Sequence, residues 1–402
     1  MVPMPAPLFD ADRMRVYPWI FAAAYLVSAI ALVMASSGGI DPWGKPLGYD
    51  FITFWSAGHL TLEGRPEAAF DAYEILAAQQ VAVPQNTSIF LWHYPPTYQL
   101  LVAPLALVPY FASYLLFTGL TLAAYLLTVS RLLDQKGAVM LVLAAGGTWM
   151  CVFHGQNSML SAALFAGIAL TIGRRPVLAG VLIGLLAYKP QLGLLIPFAL
   201  IVTGQWRTFV AAAATTVAFA GVATLAFGLD LWRAFLDNMP LVGTLLESGF
   251  LPWEKIPSLF VTLRLVGVPE GLAYAAHWTL AAAAALTAIA VWRKAGPGPL
   301  SVAVLVLATL LMTPYLFDYE FAIVSVPLVI AATHMARTGA SRAEKAVLLF
   351  AYFAPFLMIF GVKAANLQLG FVALLALFAV TVHRALAEAR TREAAVPTAA
   401  AA

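Results

Sequence analysis

A carboxylate sits among aromatic residues in "GYDFITFWSAGHLTLEGRP", where Asp50 is flanked by Tyr49, Phe51, Phe54 and Trp55. Held partly out of water and within reach of an alcohol, such a group can take the proton as the alcohol attacks. Aspartate is also a favoured helix N-cap, a role that calls for no ligand. Both readings stand for Asp50. In "LWHYPPTYQLLVAPLALVP", Pro95 and Pro96 stiffen the chain behind His93 and Tyr94. His93 suits phosphate binding or proton carriage as well as an interfacial aromatic belt, whereas Tyr94 fits the belt first. "FHGQNSML" places His154, Gln156 and Asn157 together. Gly and Asn favour turns, but paired amides also offer the donors and acceptors that sugar hydroxyls need.

Charge in apolar surroundings is the next signal. Lys189, in "LLAYKPQLGLL", lies between apolar runs. A lysine there is costly unless it is solvated or paired. It either snorkels to a surface or forms an anion site able to neutralise a lipid-linked phosphate. Arg264, in "IPSLFVTLRLVG", is the next candidate, because a guanidinium grips phosphate oxygens bidentately. "MTPYLFDYEFAI" supplies Asp318, Tyr319 and Glu320, and either carboxylate could pair with Lys189 or Arg264. There is no GxxxxGK[ST] loop and no HExxH motif. The six histidines do not fall at ligand spacing. The one D-x-D, Asp10 to Asp12, lies beside Arg13 on the side expected to be cytoplasmic, away from the other candidates. No metal and no cofactor is expected.

These residues must be positioned by a membrane protein. Of 402 residues, 62% are hydrophobic and 10% charged, against about half and a quarter in soluble domains. A net charge of +3 speaks about topology rather than nucleic acid. The lone Cys151 can form no internal disulfide. The expected fold is all-α and polytopic: one integral-membrane domain over 1–385, then a disordered cytoplasmic tail over 386–402. The first apolar run, 17–37, is long enough for a retained span rather than a cleaved signal. Placing the basic clusters (Arg131 with Lys136, Arg174 with Arg175, Arg207, Arg293 with Lys294, Arg337 with Arg342 and Lys345, Arg384) in the cytoplasm gives about 12 crossings. That count treats 95–108 as a re-entrant or tilted piece; if it spans, the count is 13. The outer side then holds a first loop, 38–93, with amphipathic pieces at 50–62 and 67–80, and a second segment, 229–268. Three polar breaks on that side point to one wet, outward-facing cavity.

The order of "YDFITFWSAGHLTLEGRP", "WHYPPTYQLLVAPLALVP", "FHGQNSML", "GVLIGLLAYKPQLGLLIP" and "IPSLFVTLRLVG" resembles glycosyltransferase family 87. These are membrane enzymes of the C-type glycosyltransferase fold and include phosphatidylinositol mannoside mannosyltransferases. The resemblance implies an inverting transfer, mannose favoured, from a polyprenyl-phosphate sugar to a hydroxyl of a lipid or glycan. It implies a plasma (inner) membrane enzyme with its site on the outer face. It makes Asp50 the base, with Lys189, Arg264 and His93 on the donor phosphate. Tyr49, Trp55, Tyr94, His154, Gln156, Asn157, Tyr188, Asp318, Tyr319 and Glu320 would contact sugar or acceptor. Asp318 and Tyr319 stand where the family often has a histidine. The rival class is a transporter or flippase for a lipid-linked or anionic solute, which would share the cavity and Lys189 but need no base at Asp50. A non-catalytic scaffold would leave the intramembrane lysine unexplained.

Overall fold

The computed structural model describes residues 11–134 and 138–399, all helix and loop. In chain order the helices are α1 (Ala11–Ala35), α2 (Phe51–Leu62), α3 (Ala72–Ala82), α4 (Pro96–Val102), α5 (Tyr110–Ser130) and α6 (Val139–Leu143). There follow α7 (Gly146–His154), α8 (Ser158–Thr171), α9 (Pro176–Leu185), α10 (Ile196–Val202), α11 (Trp206–Phe227) and α12 (Asp230–Glu247). The last third holds α13 (Leu259–Leu265), α14 (Glu270–Ala295), α15 (Pro299–Met312), α16 (Phe321–Thr338), α17 (Arg342–Ala365) and α18 (Leu369–Ala399).

Among the described residues seven helices are long and apolar enough to cross a bilayer: α1, α5, α11, α14, α16 (with the turn before it), α17 and α18. Large apolar side chains of α1 and α11, such as Trp19, Met34, Val217 and Leu225, point away from the protein. In a chain of this composition that outward surface is a lipid-facing one. α15 and α16 form the centre, with nearly every α15 side chain buried.

The chain reverses at two opposite ends. At one end Arg337 binds Asp134 (2.7 Å), Arg384 binds Glu344 (2.6 Å) and His334 approaches Glu388 (3.7 Å). This basic end also gathers the 295–301 turn, which shares a small groove with Ala385, Glu388 and Arg392 of α18. The groove carries none of the candidate residues. The other end gathers the polar breaks. The helices leading to those breaks are short: at 1.5 Å per residue, the 14 residues of α8 and of α15 cover about 21 Å of a hydrocarbon core about 30 Å thick. The breaks therefore lie at the ends of helices too short to cross such a core on their own.

Two expectations change, while 95–108 is short, as expected. Residues 95–108 become α4 and a 3-10 stretch, Ala103–Leu107, packed against α2; Gly58 is required there, because a Cβ would meet the Val102 carbonyl oxygen at 2.4 Å. α2 is not a surface helix. Phe51, Ile52, Phe54, Trp55 and Leu60 are all buried, and a helix apolar all round belongs in a core. The tail expected to be disordered continues α18 as far as Ala399. Ala389 is buried and Glu388 binds Arg392 one turn on; Ala, Glu and Arg are strong helix formers. Residues 1–10, including Asp10 of the D-x-D, lie outside the described residues, as do 135–137 and 400–402.

Candidate active site

Two backbone features bring Asp50 and Gln156 together. α7 ends in a Schellman turn: Gly155, at φ +57°, donates to Val152 O (3.1 Å), and Gln156 donates to Cys151 O (3.0 Å). A Cβ on Gly155 would lie 2.5 Å from Phe51 Cβ, so glycine is needed for both φ and space. On the facing segment Tyr49 has φ +42°, an uncommon conformation for a bulky residue. Its hydroxyl donates to Asp41 (2.5 Å), whose carboxylate also accepts from the Trp43 and Lys45 amides. Burial first, then Asp41, raises the Tyr49 pKa and keeps the phenol protonated. The strained residue directly precedes Asp50.

Asp50 stands at the N-cap position of α2, yet its side chain caps nothing. Its carboxylate instead accepts from Gln156 Nε2 (2.9 Å), and Tyr94 donates to Gln156 Oε1 (3.2 Å). Burial, with a contribution from Asp50, raises the Tyr94 pKa, so the phenol stays a donor. Tyr94, Gln156 and Asp50 thus form a directed relay ending on a half-buried carboxylate. Among the described residues Gln156 is its one side-chain hydrogen-bond partner, which leaves lone pairs for an incoming hydroxyl.

Lys189, Asn157 and Glu320 form a buried group beside this relay. Pro190 bars Lys189 from the helix, and its ammonium turns inward to Glu320, with Asn157 Oδ1 at 3.5 Å. Lys189 is only 6% exposed. Its charge is matched by Glu320. Asn157 Nδ2 and Asp318 Oδ2 are buried without a completed hydrogen bond. The other Asp318 oxygen accepts from the Tyr319 amide (2.8 Å). A buried donor and a buried acceptor left open are groups that ligand hydroxyls or water can satisfy.

His154 links the relay to a residue that sequence reasoning passed over. Its Nδ1 lies 2.8 Å from Met150 O, which places the proton on Nδ1 and makes Nε2 an acceptor. Lys255 Nζ donates to that Nε2 at 3.2 Å. Tyr49 and Tyr319 flank the His154 ring at 5.2 and 5.6 Å between centroids. Asp50, His154 and Lys255 are all near enough to act electrostatically on Asp318.

Other expected residues fall elsewhere. Arg264 donates to Val268 O (2.9 Å) and stacks over Trp253 (5.8 Å), with no contact to the Asp50 or Lys189 groups. Trp55 is buried, its indole donates to Val108 O (2.9 Å) and one face lies on His59; no face remains for a sugar. Tyr188 is buried behind Lys189 and bonds Ser161 (2.6 Å). His93 bonds Asn238 (3.2 Å), and burial depresses its pKa to about 4. It is therefore neutral near pH 7 and brings no charge to a phosphate.

The model of glycosyltransferase family 87 matches residues 92–314, just over half the chain. The chain belongs to that family. It is thus a glycosyltransferase and, with its apolar helices, a multi-pass membrane protein. No curated protein and no solved structure matches it. The family match covers Tyr94, Gln156, Asn157, Lys189 and Lys255 but begins after Asp50 and ends before Asp318. Those two carboxylates join the family segment through space: Asp50 through Gln156, and Asp318 through the field of Lys255.

Proposed function

We propose that this glycosyltransferase moves a sugar, mannose favoured, from a polyprenyl-phosphate donor to a hydroxyl of a lipid or glycan. The reading places the reaction at the outer face of a plasma membrane. The observation that carries it is the half-buried Asp50 carboxylate, freed from capping and held by Gln156. The acceptor hydroxyl attacks C1 of the sugar and its proton passes to Asp50. The C1–O bond to phosphate breaks, and the electron pair leaves with the phosphate. That is one displacement, and it inverts the anomeric centre. The open Asn157 Nδ2 and Asp318 Oδ2 would meet sugar hydroxyls, with Tyr49, Tyr319 and His154 as ring faces beside them.

The short helices α8 and α15 support a lipid-carried donor, because the polar breaks at their ends would be reached from the bilayer by a head group whose prenyl chain stays in it. Clustering of arginines at the opposite end supports an outer site, since such clusters face the cytoplasm. Sealed vesicles test donor and sidedness together. Right-side-out vesicles loaded with polyprenyl-phosphate mannose should glycosylate a membrane-impermeant acceptor added outside, and inside-out vesicles should not. Transfer from a nucleotide sugar alone, or only in inside-out vesicles, would overturn the reading.

A further inference from the structure

We propose that Lys255, presented beside His154, is the cation that binds the donor phosphate. This rests on the polyprenyl-phosphate reading above. Three observations single Lys255 out. Lys189 is already matched by Glu320, and Arg264 donates to Val268 O and lies over Trp253, without contact to the Asp50 or Lys189 groups. Lys255 is half-buried and, among the described residues, its ammonium bonds only the ring of His154. Two of the three ammonium protons are therefore available to phosphate oxygens. Its position is also built rather than incidental. The one-turn helix Trp253–Lys255 lies between Pro252 and Pro257. Buried Gln368, in the turn between α17 and α18, donates to Trp253 O (3.1 Å) and lies 3.4 Å from Glu254 O. Gly370 lets Pro257 approach to a distance where a Cβ would clash, at 2.8 Å. Trp253 donates to Leu246 O (3.1 Å) under the Arg264 guanidinium. Arg264 thereby supports the turn that carries Lys255 and acts as a positioning residue.

A cation near Asp318 also fits the charge flow. Negative charge grows on the phosphate as the C1–O bond breaks, and a fixed ammonium stabilises that charge without rearrangement. Binding of farnesyl monophosphate and of uncharged farnesol to the purified protein tests the assignment. Wild type should prefer the phosphate. Lys255→Met should weaken farnesyl monophosphate binding about 10- to 150-fold, the worth of a charge-assisted hydrogen bond. Farnesol binding should be unchanged in that variant, and Lys255→Arg should recover most of the phosphate affinity. Undiminished phosphate affinity in Lys255→Met, or an equal loss for farnesol, would overturn the role of Lys255 while leaving the donor reading intact. No preference for phosphate in wild type would overturn the donor reading, and this inference with it.

Discussion

Asp50→Asn should remove most transfer, about 10²- to 10⁴-fold, which is the usual worth of general-base catalysis. Folding and donor binding should persist, for a structural reason. The carboxylate caps no helix, and its one side-chain partner is a donor, Gln156 Nε2, that an Asn carbonyl oxygen can also accept. What the variant loses is basicity. The measurement is kcat with saturating donor and acceptor, alongside thermal stability in the same detergent. Near wild-type kcat would remove Asp50 from the chemistry. A collapse in stability would mean that the carboxylate holds the first loop instead.

The second large effect concerns Lys189 and Glu320. Both side chains are 7% exposed, and stranding one member of such a pair costs about 3–5 kcal/mol. Lys189→Met should therefore lower Tm sharply. Adding Glu320→Gln removes the orphaned carboxylate and should restore Tm together with most transfer, since the pair is read as structural. A double variant that is stable yet inactive would show that Lys189 meets substrate after all. Asp318→Asn in place of Glu320→Gln should not rescue, because Asp318 makes no ion pair with Lys189.

The choice between Asp318 and Glu320 could not be read from sequence. They lie on the one-turn 3-10 helix Asp318–Glu320, where three residues complete a turn, so residues two apart face different directions. Lys189 can meet only one of them, and the turn type decides which. Arg264 was weighed by its chemistry without its place. It lies in the last turn of α13, where free carbonyls draw cationic side chains. Lys255 was overlooked because "PWEKIP" reads as a solvated loop; the bracketing prolines beside Trp253 were the available sign. What sequence carried well were the all-helical character, the polar breaks and the grouping of Asp50 with Tyr94, Gln156 and Asn157, while about 12 crossings were expected and seven helices among the described residues are long and apolar enough. Apolar length and proline act locally, and so are visible one residue at a time. α2 misled for a related reason: its aromatics suit an interface and a core equally, and only packing against α4 and the 103–107 stretch distinguishes the two.

The central claim is a single displacement in which Asp50 activates the acceptor. The anomeric configuration of the product tests it most directly. Purified protein, given a polyprenyl-phosphate sugar of known anomer and an alcohol acceptor, should yield the opposite anomer by proton NMR. No sugar should be found bound to Asp50 in rapidly quenched samples analysed by mass spectrometry. A product with the donor's configuration, accompanied by a glycosyl ester on Asp50, would contradict the account and make Asp50 a nucleophile.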